Sequence, residues 1–425
     1  MSSILLGCIA DDFTGATDLA NNLVRAGMRV VQTVGVPQEP LGEMVDAVVV
    51  SLKSRTIAPK QAIEQSLAAL DWLLAQGARQ VYFKYCSTFD STEQGNIGPV
   101  TDALMAALQT DFTIATPAFP DAGRTVYQGY LFVGNVLLNE SGMQDHPLTP
   151  MKDPNLVRVL KPQTRHKVGL VDYRATTQSS EAVAKRFEEA RLQGVGIAIV
   201  DAVGNEDLHR IGRAASGLKL VTGGSGLAIG LPANFGVKPN ALAAQLPSPT
   251  GKRAIVSGSC SRATQAQVAH FIEHGGQAIG IDPVLLSQDP LAIEGYREQA
   301  LKALAAKPVL VYSTTTPEQL AQVQGALGAM RAGEMVEQWL AGIARELVLA
   351  GVGQLIVAGG ETSGAVVQAL GIEQLRIGQQ IDPGVPWCHG MARLGGASLP
   401  LHISLKSGNF GGVDFFTRAF EVLVR

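Results

Sequence analysis

Short runs of apolar and β-branched residues alternate along the chain with segments whose apolar residues recur at helical spacing. The run Ile4–Ala10 is followed by apolar residues at positions 16, 19, 20, 23 and 24, the spacing of one face of a helix. Similar runs at Ala47–Ser51, Val81–Tyr85 and Ile197–Val200 adjoin other amphipathic segments. Strands that are apolar throughout and separated by helices are typical of parallel sheets covered on both faces. The pattern therefore predicts an α/β fold.

The alternation is interrupted over residues 231–251, which contain four prolines and two glycines without sustained periodicity, and it resumes at Ala254–Ser257. Such a composition is typical of a linker. We expect an N-terminal domain over 1–235, a linker over 236–252 and a C-terminal domain over 253–425. Each domain is expected to be a mostly parallel sheet flanked by helices, with a ligand cleft between the two. Because ligands of such sheets bind beyond the carboxyl ends of the strands, functional residues should lie in the loops there.

Composition narrows the class of protein. The 425 residues include 34 Lys and Arg against 37 Asp and Glu, a net charge of −3, with no block of basic residues. This argues against binding of nucleic acid through phosphate neutralisation. An apolar share of 46% with 17% charged residues excludes a largely disordered chain.

Apolar runs and cysteine content bear on the cellular location of the protein. No apolar stretch approaches the roughly 20 residues of a membrane span. Four scattered cysteines, at 8, 86, 260 and 388, fit a reducing cytosol. We expect a cytoplasmic enzyme without a membrane partner, and a homo-oligomer is compatible with the sequence.

Charged residues follow the first two predicted strands that carry candidate chemistry. Asp11 and Asp12 come directly after the first, where carboxylates can take a proton from a hydroxyl group or hold a metal ion. The alternative is that one of them caps the following helix. Lys53 and Arg55 follow the next strand. Two cations there can bind an anionic group, or they form surface salt bridges.

The segment 84–92, KYCSTFDST, follows the third strand and is unusually polar. It holds Lys84, Asp90 and five side chains with hydroxyl groups, among them Ser91, and Asn96 comes shortly after it. These groups suit hydrogen bonding to a small polyhydroxylated ligand.

Two later loops extend this interpretation. Arg124 adds a cation in a proline-containing loop, and the glycines of 222–226 give a backbone that a ligand can approach closely. The N-terminal domain is therefore expected to bind an anionic, sugar-like small molecule.

Turns rich in glycine and serine follow three predicted strands of the C-terminal domain. Small residues let backbone N–H groups converge, and a helix N-terminus favours an anion, so such turns can bind phosphate. Tight turns also need glycine for geometric reasons alone. No GxxxxGK[ST] sequence occurs, and no GxGxxG follows the first strand, so a nucleotide would bind through another fold. The candidate phosphate-binding residues are Ser257, Gly258, Ser259, Gly359, Gly360, Glu361, Thr362, Ser363 and Gly408.

Nine segments, in this order, resemble the four-carbon acid sugar kinase family: IADDFTGATDLANNL, VVVSLKSR, FKYCSTFDSTEQGNIGPV, PAFPDAGRTVYQGYLFV, VTGGSGLA, VSGSCS, VAGGETSG, PGVPW and LKSGNFGG. They run from Ile9 to Gly412 and cover essentially the whole chain. The resemblance implies an N-terminal domain that binds a sugar acid and a C-terminal domain that binds ATP, with Mg²⁺ bridging the phosphates. It further implies transfer of the γ-phosphoryl group of ATP to the 4-hydroxyl group of a four-carbon acid.

The loop after the third strand bears on the substrate. Threonate and erythronate kinases of the family typically carry a loop like KKxDSTLRGN there. This chain keeps Lys84, Asp90-Ser91-Thr92 and Gly95-Asn96, with a longer intervening segment. Gln94 stands where that Arg would be. The loop resembles the branch that acts on 3-oxo-tetronates, with D-threonate or D-erythronate as the alternative substrate.

The resemblance also suggests roles for the polar residues. Asp12 and Asp90 are the candidates for the catalytic base, and Asp12 is favoured because a strand-end Asp beside a Thr-Gly turn can face the cleft. The candidates for substrate binding are Asp11, Lys53, Arg55, Lys84, Ser91, Asn96 and Arg124. Two other classes stay open. The first is a dinucleotide-dependent dehydrogenase, but this chain has no GxGxxG after its first strand, which such an enzyme would need. The second is a non-catalytic sugar-acid sensor, which would have no use for the three glycine-rich turns.

Overall fold

The computed structural model describes residues 4–41, 44–89, 92–145, 149–313 and 329–424. The chain divides into two units, Met1–Ala244 and Gln245–Arg425. The division falls inside the proline-containing segment where the alternation of strands and helices is interrupted. In both units helices flank a mostly parallel sheet, so the predicted α/β class is confirmed.

The described part of the first unit contains eleven strands. In chain order they are β1 (Leu6–Ala10), β2 (Val30–Val34), β3 (Ala47–Ser51), β4 (Gln80–Lys84), β5 (Thr113–Thr116), β6 (Arg124–Tyr127), β7 (Tyr130–Val133), β8 (Val136–Leu137), β9 (Lys167–Val171), β10 (Val195–Val200) and β11 (Leu220–Gly223). Eight of them form a parallel sheet in the order β2-β3-β1-β4-β11-β5-β10-β9. The other three, β6 to β8, form a small antiparallel sheet.

Helices cover the large sheet of the first unit. They are α1 (Phe13–Arg25), α2 (Pro59–Ala75), α3 (Ile97–Ala107), α4 (Leu156–Leu160), α5 (Tyr173–Thr176), α6 (Ser180–Leu192) and α7 (Asn205–Ala214). Every residue of β1, β3 and β4 is buried, because helices pack on both faces of these central strands. This burial explains why their sequences are apolar throughout rather than alternating.

The described part of the second unit contains seven further strands. They are β12 (Lys252–Ser257), β13 (Gln277–Gly280), β14 (Val309–Tyr312), β15 (Val352–Ala358), β16 (Gln374–Asp382), β17 (Val385–Leu394) and β18 (Ala397–Lys406). Their order is β13-β14-β12-β15-β18-β17-β16. The first five are parallel, whereas β17 is antiparallel to both of its neighbours.

Six helices accompany this sheet within the described residues. They are α8 (Arg262–Glu273), α9 (Pro283–Gln288), α10 (Ala292–Leu304), α11 (Ala329–Leu349), α12 (Gly360–Ala369) and α13 (Phe415–Val424). Trp387 is fully buried beneath α13, and its indole N–H donates to the carbonyl of Ala419 at 2.7 Å. Among all the helices in the described ranges, none has both the length and the apolar character needed to cross a membrane.

Candidate functional site

The first group of predicted residues lies where β1, β3 and β4 end side by side. The strands are parallel and in register, with Ala10 paired to Lys84. The loops that follow them therefore leave the sheet at the same edge. This edge brings Asp11, Asp12, Arg55 and Lys84 into contact, although the sequence suggested them from three separate motifs. We call these four residues the charge cluster.

Asp12 caps α1 and pairs with two cations at the same time. Its Oδ2 accepts hydrogen bonds from Thr14 Oγ1 at 3.0 Å and from the backbone N–H of Gly15 at 3.2 Å. Its Oδ1 accepts from Arg55 Nη2 at 2.6 Å and from Lys84 Nζ at 3.2 Å. The helix cap is thus present, and it leaves the second carboxylate oxygen for the cations.

Arg55 binds both carboxylates of the charge cluster. Its Nε and Nη2 donate to Asp11 at 2.9 and 2.8 Å, a bidentate pair, while Nη2 also donates to Asp12. The side chain of Asp11 is 6% exposed and that of Arg55 is 26% exposed. Arg55 is therefore held from the protein side and reaches solvent on the other.

Lys84 lies deeper in the charge cluster, with its side chain 4% exposed. A Cβ atom at Gly15 would lie only 1.7 Å from Lys84 Nζ and 2.2 Å from Asp12 Oδ1. Because no side chain fits there, glycine at position 15 is what allows α1 to begin beside the ammonium group.

The two carboxyl groups respond differently to this environment. Burial raises the pKa of Asp12, but the charges of Arg55 and Lys84 and the N–H of Gly15 outweigh it and hold that pKa well below its usual range. For Asp11 burial prevails over the cations, and the pKa is raised. Burial lowers the pKa of Lys84, but the carboxylates of Asp12 and Asp11 outweigh it, so that the pKa is raised. Asp12 is consequently an anion with little affinity for a proton.

Asn96, predicted to contact the substrate, lies buried beneath the loop that carries Arg55. Its Nδ2 donates to the carbonyl oxygens of Ser54, Arg55 and Ile57 at 2.9, 3.2 and 2.9 Å. These bonds make it a support for the turn 54–57. Direct contact between Asn96 and a ligand stays a prediction.

Asp18 is a further candidate for the site, which the sequence did not single out, because it interacts electrostatically with Lys84 and Asp12. It is a buried carboxylate of α1, and its Oδ2 accepts from Ser225 Oγ, while Oδ1 has no hydrogen-bond partner among the described residues. Burial raises the pKa of Asp18 to about 7 despite the opposing charge of Lys84. Asn22 is also buried on this helix and donates to the carbonyl of Ser225 at 2.9 Å. Polar residues within an apolar helix face were the available signal.

The glycines of 222–226 have a different role from the one predicted. A Cβ atom at Gly224 would lie 2.8 Å from the carbonyl oxygen of Pro117, and one at Gly226 would lie 2.3 Å from that of Ala118. The space beside them is filled by protein backbone. These glycines permit two loops to pack closely, rather than admitting a ligand.

The remaining predicted residues of the first unit are not members of the charge cluster. Lys53 is exposed. Arg124 opens β6 and is half-buried, with Nη1 donating to the carbonyl of Ala122, and burial lowers its pKa. Asp90 and Ser91 lie outside the described residues, so their roles as base and substrate contact stay predictions.

The second group of predicted residues lies where β12, β15 and β18 end side by side. Ser257 is paired with Ala358, and Ala358 with Lys406, in parallel register. The three glycine-rich turns that follow these strands are therefore neighbours at the carboxyl ends of three adjacent parallel strands.

Three glycines allow these turns to touch. A Cβ atom at Gly258 would lie 2.2 Å from Thr362 Oγ1, and one at Gly408 would lie 2.5 Å from Ser259 Oγ. Gly359 has a φ of 125°, which other residues rarely adopt. These positions therefore require glycine for geometric reasons. The absence of side chains there also lets the backbones of the three turns approach one another.

The N-terminus of α12 lacks a side-chain cap, because its capping residue is Gly359. In contrast, Ser261 caps α8 by accepting from the N–H of Thr264 at 3.2 Å. The first N–H groups of a helix without such a cap are suited to binding an anion.

The predicted residues of these turns differ in exposure. Gly360 and Glu361 are exposed, whereas Ser257, Thr362 and Ser363 are buried. An anion at this edge would therefore meet the backbone of the turns and the exposed start of α12, not the three buried side chains.

Two protein-family models match most of the chain. One describes a sugar-binding N-terminal domain and matches residues 6–231, and the other describes a nucleotide-binding C-terminal domain and matches residues 254–416.

Curated relatives align over almost the full length. Proteins named 3-oxo-tetronate kinase from Cupriavidus necator and Burkholderia multivorans are each 54% identical, and the alignments cover 99% of this chain and 97% of each relative. A protein of the same name from Actinobacillus succinogenes is 47% identical, covering 99% of this chain and 100% of the relative.

Solved structures agree with these alignments. A protein from Salmonella typhimurium LT2 superposes with a TM-score of 0.86 at 44% identity, covering 97% of this chain and 98% of the other. One from Haemophilus influenzae gives a TM-score of 0.77 at 44% identity, covering 98% and 100%.

Proposed function

Because the chain belongs to the four-carbon acid sugar kinase family, we propose that it phosphorylates the 4-hydroxyl group of a 3-oxo-tetronate with ATP. The observation that carries this proposal is the charge cluster at the carboxyl ends of β1, β3 and β4, inside the part of the chain that matches a sugar-binding domain. The full-length relatives that act on 3-oxo-tetronate favour this substrate over D-threonate or D-erythronate.

The charges of the cluster determine how an anionic substrate can bind. Asp11 and Asp12 balance Arg55 and Lys84, so the four residues together are close to neutral when ionised. Arg124 and Lys53 are proposed to add positive charge for the substrate carboxylate and the transferring phosphoryl group. Arg55 and Lys84 then serve chiefly to fix the carboxylate of Asp12.

Asp12 is proposed to orient the 4-hydroxyl group. Its low pKa makes it a weak base, but phosphoryl transfer passes through a loose transition state in which the hydroxyl proton is lost late. A fixed carboxylate that accepts a hydrogen bond from the hydroxyl aligns the nucleophile without taking its proton early. Asp90 is kept as the alternative residue for this step.

ATP is the phosphoryl donor, and its phosphates are proposed to bind the three turns after β12, β15 and β18. The convergence of the turns and the start of α12 without a side-chain cap support this placement. The sugar acid is proposed to bind the N-terminal domain. The ligand cleft between the domains stays a prediction.

Mg²⁺ is proposed to arrive with the nucleotide. Among the described residues, no three His, Cys, Asp or Glu side chains form a group that could hold a metal ion. Mg²⁺ commonly keeps several waters and binds through substrate phosphates with one or two carboxylates, so a dedicated protein site is not required. When bound, the ion would neutralise phosphate charge.

A cytoplasmic location is also proposed. The four cysteines, all within the described ranges, form no disulfide, as expected in a reducing compartment.

The direct test is to incubate the purified protein with ATP and each four-carbon acid and to identify products by mass. We expect a phosphorylated product from 3-oxo-tetronate, formed with a higher kcat/KM than from D-threonate or D-erythronate. Faster reaction with either of those acids would reverse the choice of substrate. Binding without any product would favour a sensor, and reduction of a nicotinamide cofactor would favour a dehydrogenase.

A further inference from the structure

Lys406, the last residue of β18, is fully buried and surrounded by uncharged oxygen atoms. Its Nζ lies 3.1 Å from Thr264 Oγ1 and 3.0, 3.1 and 3.1 Å from the carbonyl oxygens of Ser407, Gly408 and Phe410. An ammonium group has three protons, so these four acceptors use all of its donors. The turn that follows β18 thus folds around the ammonium group of Lys406.

Burying this charge is costly. None of its four hydrogen-bond acceptors is a carboxylate, and removing an ammonium group from water without a carboxylate in contact disfavours the charged form. Burial accordingly lowers the pKa of Lys406 to about 7. An apolar side chain such as methionine would fill the same space without this cost. A lysine here therefore needs a reason beyond packing.

The reason lies in the orientation of the peptide groups. The C=O and N–H of a trans peptide point in opposite directions, and no cis peptide occurs in the described chain. Carbonyls of residues 407, 408 and 410 that face Lys406 consequently turn the N–H groups of Gly408, Asn409 and Gly411 away from it. Successive N–H groups displayed in this way can bind an anion.

We infer that Lys406 is a positioning residue of the nucleotide site. By drawing three carbonyls of the 407–411 turn inward, it presents the N–H groups of Gly408, Asn409 and Gly411 to the phosphates of the nucleotide. This inference rests on the proposed function. It adds a residue that touches no ligand and assigns the phosphate contact to backbone groups of the third turn.

Gln267 provides a matched comparison. It is buried on α8, and its Nε2 donates to the carbonyls of Phe410, Gly411 and Gly412, each at 3.0 Å. It thus supports the same turn with three bonds to carbonyls but without charge, and it shares only Phe410 with Lys406.

The test compares Lys406→Met with Gln267→Met in the full-length protein, using calorimetric titration with ATP and with adenosine. We expect Lys406→Met to weaken ATP binding about 10- to 100-fold, the range expected from losing hydrogen bonds to charged groups, with adenosine binding changed less than about twofold. Gln267→Met should weaken ATP by less than about threefold. Equal losses for ATP and adenosine, equal ATP losses in both variants, or unchanged ATP affinity in Lys406→Met would each overturn the inference.

Hydrogen–deuterium exchange of the wild-type protein covers the case in which Lys406→Met does not fold. ADP should slow amide exchange in the peptide spanning 406–412, whereas adenosine should not. No slowing by ADP would overturn the inference while leaving the kinase assignment intact. A wild-type protein that neither binds ATP nor forms a phosphorylated product would instead refute the proposed function, and the inference with it.

Discussion

At the scale of the residue, Asp12 has two tasks that substitution can separate. Asn caps a helix nearly as well as Asp, so Asp12→Asn should keep α1 in place while removing the charge that faces Arg55 and Lys84. Because Asp12 is proposed to align the hydroxyl group, we expect kcat to fall by about 10²-fold or more, with substrate affinity changed much less. Steady-state kinetics with 3-oxo-tetronate and ATP would measure both quantities.

Asp207→Asn is the control for loss of a buried, paired carboxylate. Asp207 accepts from the N–H groups of Val203 and Gly204 at 2.9 Å each and pairs with Arg210 at 2.6 Å, but it lies outside the charge cluster. The Asp207→Asn protein should be less stable than the wild type and keep the wild-type kcat. A near-normal kcat in Asp12→Asn beside a collapsed kcat in Asp90→Asn would transfer the orienting role to Asp90.

Gly15→Ala tests the close approach of α1 to Lys84. The added methyl group has no room beside Nζ, so the ammonium group must move and its contact with Asp12 must lengthen. We expect kcat/KM to fall at least about tenfold in a protein that still folds. Gly217→Ala, where no atom lies within 4 Å of the new Cβ, serves as the control and should keep wild-type kinetics. Equal activity of the two variants would show that Lys84 need not be held there.

The pH dependence of stability should reveal Asp18. The folded chain holds its proton up to about pH 7, whereas the unfolded chain releases it near 3.8. Between these values the folded state binds more protons, so this group's contribution to stability falls as the pH rises. The free energy of unfolding of the wild type, relative to Asp18→Asn, should therefore decrease from about pH 4 to about pH 7 and then level off. A difference in the free energy of unfolding between the wild type and Asp18→Asn that stays constant across this pH range would contradict the raised pKa of Asp18.

Residue types and strand ends predicted the charge cluster because each motif follows a strand that is easily recognised. Burial was not predictable in the same way. Asn96 and the glycines at 224 and 226 have the composition of a ligand site, yet the structure uses them for loop support and close packing. Asp18 is distinguished only by facing the interior, which depends on how α1 packs.

At the scale of the element, a substitution at the exposed start of α12 tests where phosphate binds. Gly360→Val places a branched side chain at the exposed first residue of this helix, where a phosphate would meet the backbone. We expect ATP affinity to fall at least about tenfold while sugar-acid affinity stays nearly intact. Gly295→Val, at an exposed position of α10 with open space around it, is the control. Unchanged ATP affinity in a folded Gly360→Val protein would move the phosphates elsewhere.

The central parallel strands were predictable because burial on both faces leaves an uninterrupted apolar run. The antiparallel ribbon β16–β18 was not predictable in this way. Pro386 and Pro400 lie within β17 and β18, and proline normally argues against a strand with neighbours on both sides. The partly exposed residues of these strands also remove the apolar run.

At the scale of the whole molecule, the two units allow the ligands to be studied separately. The first compact unit ends at Ala244, and residues beyond 235 pack within it. A Cβ atom at Gly27 would lie 2.0 Å from the carbonyl oxygen of Lys238, and Ala243 is buried. A fragment of residues 1–244 should therefore fold and bind the sugar acid without nucleotide. Calorimetry on this fragment, after circular dichroism has verified its fold, measures the affinity. A folded fragment with no affinity for any four-carbon acid would refute a sugar site confined to this unit.

The three hydrogen bonds of Asn96 also bear on chemical ageing. Asparagine is a thermolabile residue, and hydrolysis of its side-chain amide would leave a carboxylate facing the carbonyls of Ser54, Arg55 and Ile57, with which it can only repel. While the bonds persist, the amide is held in a buried position, and reaction requires local opening first. Stored protein should thus acquire acid at position 96 slowly, and molecules that do so should not regain the turn that presents Arg55. The bonds that fix this turn therefore also set its lifetime.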